Sequence, residues 1–262
     1  KVIMPVHFAG QACNMDKIME IARRHNLFVI EDAAHSLPAW YNSKPVGTLG
    51  HITCFSFYAT KTLTTGEGGM AVTESEEWAN AMKTLRLHGI NSNAWDRYQK
   101  MNKWEYDVVQ VGYKYNTTDI NAAIGLEQLK KIDFLHKSRV AIAKKYTEAF
   151  AKNEALIPYV VNQGNITSWH LYPIKIKPEL LTISRDQFII ELSERGIHVS
   201  VHFIPIYKFS AYTHFVNSSE SFENTDWIFE RTVSLPIFPG MTNEEINYVI
   251  SNVIEVINKN KK

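Results

Sequence analysis

The chain has little of what would place it outside a reducing interior. Its two cysteines, Cys13 and Cys54, lie far apart with no C-x-x-C, which excludes a disulfide framework and favours a reduced, cytoplasmic protein. No apolar run approaches the ~20 residues of a membrane span, and no signal peptide is visible. A formal net charge of +1 removes any electrostatic case for nucleic acid or an anionic membrane surface as partner. Histidines, cysteines and carboxylates nowhere show metal-ligand spacing. There is no internal repeat and no low-complexity segment. There is also no methionine at position 1. Lys1 to Val6 reads as a core strand, so the chain is expected to be a cut piece.

What is present is a hydrophobic fraction of 45% in 262 residues, enough for a sizeable core in one large or two ordinary domains. Phe55 to Gly69, F-S-F-Y-A-T-K-T-L-T-T-G-E-G-G, opens apolar like a buried strand. It then turns small and polar around Lys61, which is flanked by Thr60, Thr62, Thr64 and Thr65. A lysine so placed can lose hydration and offer a free amine, the side chain able to form a Schiff base with an aldehyde cofactor. The plain alternative is a surface lysine in a strand connection. No G-K-[ST] follows Gly66, Gly68 and Gly69, so these read as a turn and not a phosphate loop.

Leu27 to Ser36, L-F-V-I-E-D-A-A-H-S, supplies a second strand. Its continuous apolar run fits a parallel strand covered on both faces, ending in Glu31-Asp32. Ligands of open α/β sheets sit at that carboxyl edge. A carboxylate there and an amine past the next strand suit pyridoxal phosphate, one for the pyridinium nitrogen and one for the aldehyde.

Around these two stretches, helical spacing predicts helices over 16–26 and 76–87. A long helical stretch runs from a cap at Thr118 or Asp119 to about 151, with a break near 133–136. Residues 88–112, with Trp95, Tyr98, Trp104 and Tyr106, read as a long loop touching substrate or a partner subunit. After Pro158 a strand is predicted at 172–176, with capping boxes at Ser184–Gln187 and Thr242–Glu245. Ile197 to Phe203 alternates as a half-buried strand would.

The stretches E-D-A-A-H-S and S-F-Y-A-T-K-T-L-T-T-G-E-G-G, followed by G-Y-K-Y-N-T-T-D-I-N-A-A-I (112–124) and S-L-P-I-F-P-G-M-T (234–242), resemble the DegT/DnrJ/EryC1/StrS sugar aminotransferases. The resemblance runs over nearly the whole chain and is nearest to the 4-amino-sugar branch. It implies an α/β protein of the aspartate-aminotransferase fold type I, cut at its N-terminus: a partial large domain with a connecting helix over 1–151 and a small α+β domain over 152–262. Members carry a further N-terminal stretch that helps hold the cofactor, which is expected to be missing here. The implied reaction moves an amino group from glutamate to a nucleotide-linked keto-sugar at C4, with pyridoxal 5'-phosphate as cofactor. The implied setting is cell-surface polysaccharide or lipopolysaccharide biosynthesis, and the implied assembly a homodimer.

By the same resemblance, Lys61 is the cofactor lysine and proton carrier, and Asp32 the partner of the pyridinium nitrogen. His35 faces the ring hydroxyl, Ser56 binds the phosphate, and Asn116 reaches the phosphate of the neighbouring subunit. His170 and His202 lie near the substrate. Each has a plainer reading: a capping aspartate, packed histidines, a strand serine bonded to backbone, a turn asparagine. Two rival functions stay open, a non-catalytic dimerisation or binding module and a pyridoxal-phosphate sugar dehydratase, whose usual histidine in place of the lysine is not found at Lys61.

Overall fold

A computed structural model of the protein describes residues 1–90, 106–216 and 221–262. Trp95, Tyr98 and Trp104 of the expected long loop lie outside the described residues, while Tyr106 is exposed. Two compact units emerge: residues 1–132 with 164–166, and residues 133–163 with 167–262. No helix among the described residues is long and apolar enough to cross a membrane.

The first unit is built on a sheet of β1 (Val2–Ile3), β2 (Phe28–Asp32), β5 (Ile52–Ser56) and β6 (Gly69–Val72), in the order β1-β2-β5-β6. The first two pairings are parallel and β5–β6 is antiparallel. Helix α1 (Met15–His25) makes the crossover from β1 to β2. Asn14 caps its start by accepting from the Lys17 N–H, and Asn26 ends it in the left-handed conformation. Met15 and Ala22 of α1 pack with Val29, Ala33, Ala39, Tyr41 and Val46 in the core of this unit. A second small sheet joins β3 (Trp40–Tyr41) to β4 (Lys44–Pro45) and to β8 (Asn165–Ile166). Helix α2 (Glu76–Leu85) sets Trp78 edge-to-face on Phe28, with ring centroids 5.3 Å apart. Thr118 caps helix α3 (Asp119–Leu129).

The second unit holds helix α4 (Ile132–Phe150), which includes the last residue of the first, and an antiparallel sheet. That sheet is formed by β7 (Leu156–Ile157), β9 (Tyr172–Ile176) and β10 (Thr232–Leu235), in the order β10-β9-β7. Helices α5 (Arg185–Glu194), α6 (Glu223–Phe229) and α7 (Asn243–Lys259) complete it. Tyr146, Phe150, Tyr172, Phe188, Leu192, Val233 and Val253 are fully buried in one core. Thr242 and Glu245 form the reciprocal capping box of α7, and Ser184 caps α5.

Two expectations are corrected. The helical break falls at residues 130–131 and not at 133–136, because α3 ends at Leu129. Residues 197–203 form no strand. Ser200 exchanges one pair of backbone hydrogen bonds with Ser234, at 3.2 and 2.8 Å, and the ladder goes no further. Alternation reports a half-buried surface, and such a surface does not require a pairing partner.

Candidate active site

The carboxyl ends of β2 and β5 lie side by side because the two strands are parallel and in register, Asp32 opposite Cys54. Side chains alternate along a strand, so Asp32, Cys54 and Ser56 project from one face while Glu31 and Thr53 project from the other. The two faces differ sharply. Glu31 and Thr53 are buried, whereas Cys54 is exposed and Asp32 and Ser56 half-buried. The polar groups expected at the edge therefore open on a single face.

Lys61 stands in the loop that joins β5 to β6. That loop is closed at its root, where the Phe57 N–H donates to the Gly68 carbonyl at 2.8 Å. Its threonines brace it from within. Thr64 donates to the Phe57 carbonyl (3.1 Å), Thr65 to that of Glu67 (2.6 Å), and Thr62 to that of Leu37. Gly68 has a φ of 151°, and a Cβ there would come within 2.6 Å of the Thr65 hydroxyl. Glycine is needed at this position. Helix α3 docks on the same loop through Asn121, which donates to the Glu67 carbonyl at 3.0 Å. Between helix and loop lies an apolar cavity of about 360 Å³, lined by Leu37, Phe57, Leu63, Gly125 and Leu126 among others.

Electrostatics tie the edge and the loop together. Burial lowers the pKa of the Lys61 ammonium, and the charge of Asp32 works against that shift. Burial, aided by Asp32, raises the pKa of the Cys54 thiol. One carboxylate thus acts on both groups. Asp32 Oδ1 accepts from the Ala34 N–H at 3.0 Å.

The remaining predicted residues fall as follows. His35 Nδ1 accepts from the Ala9 N–H at 3.3 Å, leaving the ring proton of a neutral imidazole to Nε2. The Ser56 hydroxyl accepts from the Tyr58 N–H at 3.4 Å. Asn116 is exposed just before α3; its Oδ1 accepts from Lys114 Nζ (2.5 Å) and its Nδ2 donates to the Thr117 carbonyl. His170 and His202 belong to the second unit. The His170 carbonyl accepts from the buried Arg139 guanidinium at 3.3 Å, and His202 Nδ1 lies 2.8 Å from the Ser234 hydroxyl.

Sequence reasoning missed one group beside the site, the buried pair His7–Glu31, joined at 2.7 Å. A signal was available: a glutamate inside an otherwise apolar run needs a partner.

The sequence pattern of the DegT/DnrJ/EryC1/StrS aminotransferase family matches residues 1–254. Over its full length the chain is 47% identical to the uncharacterized protein MJ1066 of Methanocaldococcus jannaschii, covering 68% of that protein. It is 41% identical to the spore coat polysaccharide biosynthesis protein SpsC of Bacillus subtilis, over 98% of this chain and 67% of that one. Among solved structures it resembles the putative sugar aminotransferase Spr1654 from Streptococcus pneumoniae in its PMP form. There the TM-score is 0.90 at 30% identity, over 99% of this chain and 70% of that one. The PLP form of the same protein gives a TM-score of 0.88.

Proposed function

The chain belongs to the DegT/DnrJ/EryC1/StrS aminotransferase family, and from that premise we propose that it transfers the amino group of glutamate to C4 of a nucleotide-linked keto-sugar during assembly of a cell-surface polysaccharide. It is a sugar aminotransferase, and pyridoxal 5'-phosphate is its cofactor. The observation that carries the reading is geometric: Asp32 ends β2 beside Cys54 of β5, and Lys61 stands in the braced loop that follows β5, close enough for the Asp32 charge to act on its amine.

This donor set fits the cofactor chemically. An amine suits an aldehyde, a carboxylate on the same open face suits a pyridinium nitrogen, and a hydroxyl at the neighbouring strand end suits a phosphate oxygen. When bound, pyridoxal phosphate supplies an electron sink for the pair left behind when a carbon next to nitrogen loses its proton.

The chain's own residues supply the rest. Asp32 would hold the proton on the ring nitrogen. Lys61 Nζ would hold the aldehyde, and as a free amine it would carry the proton to and from the reacting carbon. The hydroxyl of Ser56 would donate to the phosphate, and His35 would meet the ring hydroxyl. SpsC, by its name a polysaccharide biosynthesis protein, supports the biosynthetic setting.

Treatment with pyridoxal phosphate, reduction with borohydride and peptide mapping should place the cofactor mass on Lys61. A label on another lysine would refute the assignment.

Asn116 completes the site of a neighbouring subunit in this reading, so the enzyme is a homodimer. In support, α3 exposes Ile120, Ile124, Leu126 and Leu129 right after it. Sedimentation velocity should give twice the 30.1 kDa chain mass. A monomer at micromolar concentration in the presence of cofactor would remove Asn116 from the scheme.

A further inference from the structure

We propose that Glu31 and His7 form a buried positioning pair that holds the Asp32 carboxylate on the open face of the sheet, toward Lys61. The inference rests on the role given to Asp32 above, and goes beyond it in naming what aims that side chain.

Glu31 and Asp32 are neighbours on β2 and point to opposite faces, so whatever fixes one side chain fixes the rotation of the strand that carries the other. Glu31 is held by three donors. Its Oε1 accepts from the Gly50 N–H and the Thr53 hydroxyl, each at 2.7 Å, and its Oε2 from His7 Nε2 at 2.7 Å. The Gly50 amide reaches it because position 50 has no side chain; a Cβ there would sit 3.0 Å from the Glu31 Cγ and Oε1.

His7 is oriented in turn. Its Nδ1 accepts from the Cys13 N–H at 3.1 Å, so the ring proton lies on Nε2 and is donated to Glu31. The backbone N–H of His7 donates to the Asp32 carbonyl at 3.0 Å, and the Asp32 N–H donates to the Pro5 carbonyl at 2.9 Å. His7 therefore touches the Glu31 side chain and the Asp32 backbone together.

A core built only for stability has no need of this arrangement. A fully buried carboxylate is costly, and apolar residues of similar volume often serve as well or better. Although burial pushes the pKa of Glu31 up, hydrogen bonds from His7, Thr53 and Gly50 more than offset it and keep the acid ionised. What the pair adds is direction. Glu31→Gln cannot satisfy the same partners: an amide group turned toward His7 Nε2 would meet a donor, and turned toward Gly50 it would meet another.

The test uses the cofactor-free chain and reads Asp32 through Lys61. Labelling by an amine-reactive anhydride across a pH series, quantified at Lys61 by mass spectrometry, gives the midpoint of its titration. Asp32→Asn should move that midpoint to lower pH, since it removes the charge that opposes the burial shift. Glu31→Gln should move it the same way, and Thr53→Val, which deletes one donor to Glu31, should do so to a smaller extent. In the Asp32→Asn background Glu31→Gln should add nothing, because its effect passes through Asp32.

A wild-type midpoint in folded Glu31→Gln and Thr53→Val chains would overturn the proposal. So would a Glu31→Gln shift that persists undiminished without Asp32. If Glu31→Gln fails to fold, Thr53→Val decides. The borohydride experiment stands apart: no adduct on Lys61 would sink the aminotransferase reading, while these midpoints judge the positioning pair.

Discussion

Replacing Lys61 by alanine should leave no borohydride-stable adduct at position 61 and cut transamination by about 10⁴–10⁶-fold, the scale seen when a group that both bonds and shuttles a proton is removed. The loop around it should persist. Its bracing comes from Thr62, Thr64, Thr65 and the backbone pairing of Phe57 with Gly68, none of which uses the lysine side chain. Melting temperature should therefore change little while activity vanishes. Lys61→Arg is the informative companion. It keeps length and charge but cannot offer a neutral amine, so it should be as inactive as the alanine variant. Turnover within tenfold of wild type in either variant would exclude Lys61 from the reaction.

Asp32→Asn should lower the plateau rate by about 10²–10³-fold, the usual loss on removing one preorganised electrostatic partner. The amide is nearly isosteric, and its oxygen can still accept from the Ala34 N–H, so the strand end keeps its shape. The pH dependence should move in the opposite sense to the rate. In the wild type Asp32 raises the Lys61 pKa against the lowering effect of burial. Without that charge the pKa falls further, and the neutral amine is available at lower pH. The acid limb of the profile should shift to lower pH even as the plateau drops. A limb that moves to higher pH, or a plateau left unchanged, would contradict the placement of Asp32 beside both the ring nitrogen and the amine.

Strands were legible in the sequence where apolar residues run together, whether the strand is almost wholly buried, as β9 is, or largely exposed, as β6 is. The segments predicted at 27–31, 69–73 and 172–176 appear at 28–32, 69–72 and 172–176. Helix starts were legible where a side chain caps the first turn, as at Thr118, Ser184 and Thr242. Two kinds of feature were not. Strand pairing leaves no local signature, so 197–203 looked like a strand. Glu31 in an apolar run announces that it needs a partner, but not that the partner is His7, 24 positions away. At the candidate site, the positions of Asp32 at the end of β2 and of Lys61 in the loop after β5 could be read from the strand endings. The bracing roles of the flanking threonines could not, because a hydroxyl satisfied by its own loop and one offered to a ligand look alike in a sequence.

The lysine loop leaves the sheet and returns to it at adjacent points, Ser56 opposite Gly69. A segment anchored in this way can gain or lose a residue without altering the register of any strand, since the closure entropy of a loop grows only slowly with its length. The reach of the amine can thus be retuned by small insertions next to Lys61 that leave the strand register alone, provided the contacts of Thr62 with Leu37 and of Glu67 with Asn121 re-form.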